Sequence, residues 1–136
     1  MKKVKLFINN EFIESVAKEY MNVYNPSTGE VIAQAPCCTK EEVDRAISAA
    51  KAAYKDWSST PVMKRVQVLY RLRGLIEKHM DELTLLVATE NGKVLDEAAG
   101  DVLKAKEATE QAISAPNLMM GESLMDTSAG FDSVLY

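Results

Sequence analysis

Chemically versatile side chains are scarce in this chain of 136 residues, which holds one histidine, two cysteines and one tryptophan. One imidazole and no C-x-x-C motif leave little from which to build a metal centre or a histidine acid–base pair. The thiols of Cys37 and Cys38 are adjacent, an arrangement that rarely meets disulfide geometry, and no nearby Cys or His completes a zinc site. No apolar run approaches the roughly 18 residues that a membrane-spanning helix needs, which removes the membrane as a partner. Positive charge is short as well. The formal net charge is −4, against the clustered Lys and Arg that a nucleic-acid grip requires. The basic opening Met1-Lys2-Lys3-Val4-Lys5 lacks the long apolar stretch of a secretory signal, because Asn9, Asn10 and Glu11 interrupt it. A cytoplasmic protein is expected. Also absent are the G-x-G-x-x-G, G-x-x-x-x-G-K-[ST] and H-E-x-x-H motifs and any repeat at solenoid periods.

What remains is ordinary globular material, 47% apolar and 26% charged, at the size of one domain. Lys5-Leu6-Phe7-Ile8 and Glu11-Phe12-Ile13 flank Asn9-Asn10; Asn tolerates positive φ, so a two-residue hairpin is expected. Tyr20-Met21-Asn22-Val23-Tyr24 and Glu30-Val31-Ile32-Ala33-Gln34 flank Asn25-Pro26-Ser27-Thr28-Gly29, a second hairpin whose Pro26 keeps strand out of the turn. Pro36 ends the β region. Thr39 and Glu42 form a capping-box pattern at the head of a helix. Val43, Ala46, Ile47, Ala50, Tyr54 and Trp57 give that helix one apolar stripe, and Ser58-Ser59 ends it. Thr60-Pro61 predicts a second helix, with Thr60 as N-cap and Pro61 in the first helical position. Val66, Leu69, Leu72, Ile76, Met80, Leu83 and Val87 continue one face towards Glu90, with a break near His79-Met80-Asp81, and Asn91-Gly92 closes the run. A third helix is expected from about Val94 to Ser114. Its inner face, Leu95, Ala98, Val102, Ala105, Thr109 and Ala112, is built mostly of small residues, and Pro116 ends or kinks it. A loop rich in Ser, Thr, Asp and Gly then leads to a final strand, Phe131 to Tyr136. That strand has no partner of its own; it either pairs back onto the early hairpins or belongs with a longer chain. The chain alone therefore reads as α+β, two N-terminal β-hairpins followed by three helices.

Candidate chemistry is sparse. Cys38 sits one residue before a helix N-cap, a place where reactive thiols are found; with no His close by, small residues in a strand-to-helix connection is the plainer reading. Glu41 and Glu42 complement the macrodipole of a first turn. Met119-Met120 suits core packing or a polarizable groove. Lys104 and Lys106 stand among Ala105 and Ala108 on a helix with a thin apolar face. They read either as solvated lysines or as cations lining a cavity for an anionic ligand, and the residues alone leave both open.

In this order and spacing the motifs resemble a known family. Lys5-Leu6-Phe7-Ile8-Asn9, then Asn25-Pro26-Ser27-Thr28-Gly29-Glu30-Val31-Ile32, resembles the N-terminal start of the NAD(P)-dependent aldehyde dehydrogenases. Trp57, Arg65, Leu69 and Leu72 fall where that family places its second helical region. Glu90-Asn91-Gly92-Lys93 followed by Glu97-Ala98 resembles its E-x-G-K…E-A signature. Ala115-Pro116 with Leu118-Met119-Met120-Gly121-Glu122 resembles the CoA-acylating methylmalonate-semialdehyde dehydrogenase branch. Asp132-Ser133-Val134-Leu135-Tyr136 resembles the start of the oligomerisation arm. The resemblance runs from Lys5 to Tyr136.

For the intact protein the resemblance implies the α/β aldehyde dehydrogenase fold. Residues 1–130 would be an incomplete N-terminal part of the cofactor-binding domain, and residues 131–136 a truncated start of the arm. It implies an oxidoreductase that oxidises a small aldehyde through a thiohemiacetal with hydride transfer to NAD, releasing the thioester to water or to CoA as co-substrate, in a homo-oligomer. The family's nucleophilic cysteine, general-base glutamate, oxyanion-hole asparagine and cofactor segments would lie beyond Tyr136, and Cys37 and Cys38 do not match the nucleophile. This chain alone is therefore expected to be an inactive fragment, from a natural, engineered or proteolytic truncation. Three positions carry over. Glu90 matches a carboxylate that helps hold a structural monovalent cation, with backbone carbonyls near Val23 and Tyr24. Lys104 matches a substrate-tunnel position where the methylmalonate-semialdehyde branch has Arg; Lys keeps the charge and loses the bidentate fork. Ala108, one turn on, matches the same substrate-binding face. The alternative, from another class, is a non-catalytic helical interaction or assembly module from a split or truncated gene.

Overall fold

Asn9 and Asn10 both take positive φ, 53° and 64°, closing a two-residue turn whose twist matches that of its strands. They join β1 (Leu6–Ile8) to β2 (Glu11–Ile13) in antiparallel register, Leu6 opposite Ile13 and Phe7 opposite Phe12. The structure, a computed structural model, describes residues 2–135. In the second hairpin β3 (Tyr20–Tyr24) pairs antiparallel with β4 (Val31–Pro36). Asn25 organises its turn: the Asn25 N–H donates to the Glu30 carbonyl at 2.9 Å, its carbonyl accepts from the Gly29 N–H at 2.8 Å, and its Oδ1 accepts from the Ser27 N–H at 2.9 Å. The segment before β1 runs parallel beside β4 at Lys3 and Gln34, with the Lys3 ammonium 4.2 Å from the Tyr20 ring centre, within cation–π range.

Helix α1 (Lys40–Ser59) begins at the expected capping box. The run expected to reach Glu90 divides at His79 into α2 (Val62–Lys78) and α3 (Met80–Asn91). The His79 N–H still donates to the Leu75 carbonyl, and its own carbonyl accepts from the Leu83 N–H, so the chain swings there without orphaning these groups. Gly92 stops α3 at φ 69°, where an added Cβ would come within 2.9 Å of Pro26 Cγ. Helix α4 (Leu95–Ile113) and the short α5 (Ala115–Leu118), with Pro116 in its first turn, complete the helical part. Thr60 is not the N-cap of α2. Its hydroxyl donates back to the Asp56 carbonyl at 2.9 Å and Pro61 takes the cap position without a side-chain hydrogen bond; a hydroxyl committed to the preceding helix cannot serve the next one.

Helix α4 packs on both α2 and α3. Val66, Ala98 and Val102 are the buried apolar residues among those described, 4%, 0% and 5% exposed. The inward rows differ from those expected. On α2 the inward row is buried Val66 followed by half-buried Leu69, Arg73 and Ile76, while Leu72 is exposed. On α4, Leu95, Ala105 and Ala112 are exposed, and the row is Ala98, Val102, Lys106, Thr109 and Ile113. Arg73 and Lys106 lie in the seam because long basic side chains can pack their stems on apolar neighbours while the charge reaches the rim. The α1 stripe is a larger correction. Val43, Ile47, Ala50, Tyr54 and Trp57 are exposed, since α1 packs chiefly on β1 through its first half. Spacing specifies an apolar face but not the element that covers it. Met119 and Met120 are likewise exposed rather than packed in a core.

The last strand does have a partner. The Ser/Thr-rich stretch read as a loop forms β5 (Glu122–Ser128), antiparallel to β6 (Phe131–Leu135); Tyr136 lies outside the described residues. Polar side chains stitch an irregularity in this hairpin where Asp126 takes φ 51°. The Asp126 N–H donates to Asp132 Oδ1 and the Thr127 hydroxyl donates to Ser133 Oγ, both at 2.9 Å. These bonds replace ladder contacts, so the polar composition did not forbid a strand. The described residues expose 10,692 Å² in all, whereas a folded 15.0 kDa monomer exposes about 7,000 Å² on the usual size scaling.

Candidate functional site

Lys104 and Ala108 stand one turn apart on α4 and therefore share a face. Both are exposed, on the side opposite the buried Val102. Lys104 forms no ion pair among the described residues, unlike the bases of the α2–α4 seam. There the Arg73 guanidinium donates to Glu110 at 2.8 Å and to Glu77 at 2.6 Å, and Lys106 stands 3.7 Å from Glu77. The bond from Arg73 holds the Glu110 carboxyl below the ordinary carboxylate range. Lys106, read beside Lys104 as an equivalent cation, is thus committed to the seam, whereas Lys104 is exposed and unpaired among the described residues.

Glu90 lies on the last turn of α3, and the contact of Gly92 with Pro26 and Ser27 sets that helix end against the β3–β4 turn. The β3–β4 register shifts between Val23 and Tyr24, which disturbs the regular pairing of the local main chain. Glu90 is exposed and its carboxylate forms no hydrogen bond or ion pair among the described residues. No group of three or more His, Cys, Asp or Glu is placed to share a metal among the described residues.

The connection from β4 to α1, Cys37-Cys38-Thr39, is the one strand-to-helix turn among the described residues. It carries no glycine, and its helix N-terminus already holds an anion. Glu42 is 5% exposed; its carboxylate accepts from the Thr39 N–H at 2.9 Å, the Val16 N–H at 2.8 Å and the Ser15 hydroxyl at 3.0 Å. The N–H groups of Thr39 and Val16 lower its pKa against the opposing effect of burial, with Ser15 and the Arg45 charge adding to them. A dinucleotide pyrophosphate needs free N–H groups at such a turn, so these residues do not fit NAD. Both cysteines are free and exposed. Sequence reasoning took Glu42 as a cap alone; Ser15 and Val16 are 27 and 26 residues away, with no local signal to mark them. It also passed over Arg65, placed only by resemblance, whose Nε is buried without a hydrogen-bond partner. The signal was its position beside Val62, Val66 and Leu69 on an apolar helix face.

The hairpin–helix order and the α4 face define a class, and comparison with known proteins identifies it. The aldehyde dehydrogenase family pattern matches residues 12–136; the chain belongs to the aldehyde dehydrogenase family. Within that family it is similar to the malonate-semialdehyde dehydrogenase of Bacillus cytotoxicus, 45% identical over 136 residues, covering 100% of this chain and 28% of that protein. Among solved structures it matches methylmalonate-semialdehyde dehydrogenase from Oceanimonas doudoroffii with a TM-score of 0.87 at 35% identity, over 98% of this chain and 27% of that one. A Sinorhizobium meliloti protein, described as a methylmalonate-semialdehyde dehydrogenase and solved with NAD, matches with a TM-score of 0.85 at 29% identity, over 97% and 27% of the two chains. The chain thus spans little more than a quarter of the length of these relatives. No helix among the described residues is long and apolar enough to cross a membrane.

Proposed function

We propose that this chain forms the N-terminal layer of an NAD-dependent aldehyde dehydrogenase that oxidises a small carboxylated semialdehyde, of the malonate or methylmalonate type. The acyl group passes to CoA or water, and the assembled enzyme is a homo-oligomer. The observation that carries this reading is the 45% identity to a malonate-semialdehyde dehydrogenase, sustained over the whole chain. Lys104 supports the substrate class: an ammonium without an internal partner attracts the carboxylate of the semialdehyde, and Ala108 beside it leaves room for the substrate's short carbon chain. Glu90 and the carbonyls of Val23 and Tyr24 hold a monovalent cation that ties the end of α3 to the β3–β4 hairpin. The chain by itself neither binds NAD nor turns over aldehyde.

The test is to fuse residues 1–136 in place of the matched segment of the Bacillus cytotoxicus enzyme and assay NAD-dependent oxidation of malonate semialdehyde. Turnover by the fusion and none by the isolated chain is expected. A folded but inactive fusion overturns the assignment, and turnover by the chain alone overturns its dependence on the rest of the fold.

A further inference from the structure

Asp101 and Lys104 both lie on α4, at the i, i+3 spacing that lets an acid and a base pair across one helical turn. The acid stands on the N-terminal side, the more favourable order. Asp101 nevertheless pairs elsewhere. Its Oδ2 accepts from the Lys93 ammonium, and that bond raises the Lys93 pKa against desolvation, with the charges of Asp101 and Glu97 adding to it. Lys93 lies outside the helix, in the α3–α4 connection directly after Gly92. The close approach of Gly92 to Pro26 fixes where that connection passes. Lys104 is left exposed and without an ion pair among the described residues. Glu107, the other carboxylate within a turn of it on α4, is C-terminal to Lys104, the weaker order.

We propose that Lys93 is a positioning residue for substrate specificity: by holding Asp101 it keeps that carboxylate off the Lys104 ammonium, which stays open to the carboxylate of a semialdehyde. The inference rests on the proposed function, in which Lys104 receives the substrate. A cation that must first leave an internal acid binds an external one more weakly, in proportion to the time it spends free. An exposed acid–base pair across a helical turn is weak, so the effect on apparent affinity is about two- to fivefold. Lys93 acts through Asp101 and Lys104 and needs no contact of its own with the substrate.

The experiment compares Lys93→Met, Asp101→Asn and the double variant in the fusion described above. Steady-state kinetics are measured on malonate semialdehyde and on a neutral aldehyde of similar size, and the acetylation rate of Lys104 is read by mass spectrometry. Lys93→Met is expected to raise KM for malonate semialdehyde about two- to fivefold at unchanged kcat, to leave the neutral aldehyde unaffected and to slow acetylation of Lys104. Asp101→Asn is expected to change none of these, and the double variant to return all of them to the parent's values. Lys93→Arg, which keeps the pair, is expected to match the parent. Both single changes break the same ion pair, so a bridge with only a structural role would make them equivalent. Equal effects of the two, equal losses on both aldehydes, or a double variant no better than Lys93→Met overturn the proposal. Labelling separates this inference from the catalytic reading. An inactive fusion in which Lys104 acetylation still slows in Lys93→Met and recovers in the double variant overturns the substrate assignment and leaves the exchange of partners standing. An active fusion in which neither KM nor acetylation responds overturns the role of Lys93 alone.

Discussion

Glu42 shows how much one carboxylate can organise. It caps α1 and ties the segment around Ser15 and Val16 to that helix, three N–H or O–H donors meeting a single anion. Its folded pKa is lowered, so the stability it contributes is present above the unfolded carboxylate value, about 4.3, and is lost as pH falls through the lowered folded value. Glu42→Gln is expected to be less stable than the parent at neutral pH and to show less loss on acidification below that range. Chemical denaturation at a series of pH values measures both, and parallel pH profiles would remove Glu42 from this role. Lys104 makes a sharper functional prediction. A charge-assisted contact contributes ~1.5–3 kcal/mol, about one to two powers of ten in kcat/KM. Lys104→Met in the fusion should lose that factor on malonate semialdehyde and little on a neutral aldehyde of similar size, whereas Lys104→Arg should retain it through the restored fork. Equal losses on both substrates would mark a structural position.

At the scale of elements, the stops and turns are local and the contacts they enable are not. Gly92 both ends α3 and lets it approach the β3–β4 turn, so its left-handed φ and its missing Cβ matter together. Gly92→Ala places a Cβ against Pro26 in an unfavourable backbone region. It should destabilise the chain by at least about 1–2 kcal/mol, read as a lower denaturant midpoint. The same variant should weaken cation binding, seen as a smaller difference in melting temperature between potassium and tetramethylammonium salts, if Glu90 and the Val23–Tyr24 carbonyls share the ion. A variant with the parent's midpoint would show that the two elements separate freely at that contact.

For the whole molecule the deciding quantity is surface. Tyr54, Trp57, Leu72 and Leu75 on α1 and α2, and Leu124, Met125, Phe131 and Val134 on the terminal hairpin, remain exposed. Apolar side chains exposed in this number favour association. The isolated chain is therefore expected to self-associate progressively with increasing concentration in sedimentation velocity experiments, and in the fusion to give way to one defined oligomer. A monomer at every concentration, with cooperative two-state unfolding, would mean that the exposed faces are compatible with water as they stand.

The sequence by itself determined the features whose causes lie within a few residues. Asn9-Asn10 closes a hairpin through positive φ, Thr39 and Glu42 build a capping box, His79 breaks a helix and Gly92 stops one. The Lys5–Asn9 and Asn25–Ile32 segments, with the Glu90-Asn91-Gly92-Lys93 and Ala115-Pro116 motifs, were what pointed to the family. Tertiary structure decided which faces are covered: Arg73 and Lys106 in the α2–α4 seam, the open stripe of α1, the freedom of Lys104, the partner of β6 and the long reach of Glu42 to Ser15. Capping and turn geometry is fixed by hydrogen bonds between near neighbours. Burial depends on which element arrives alongside, and residues separated by tens of positions carry no local record of that meeting.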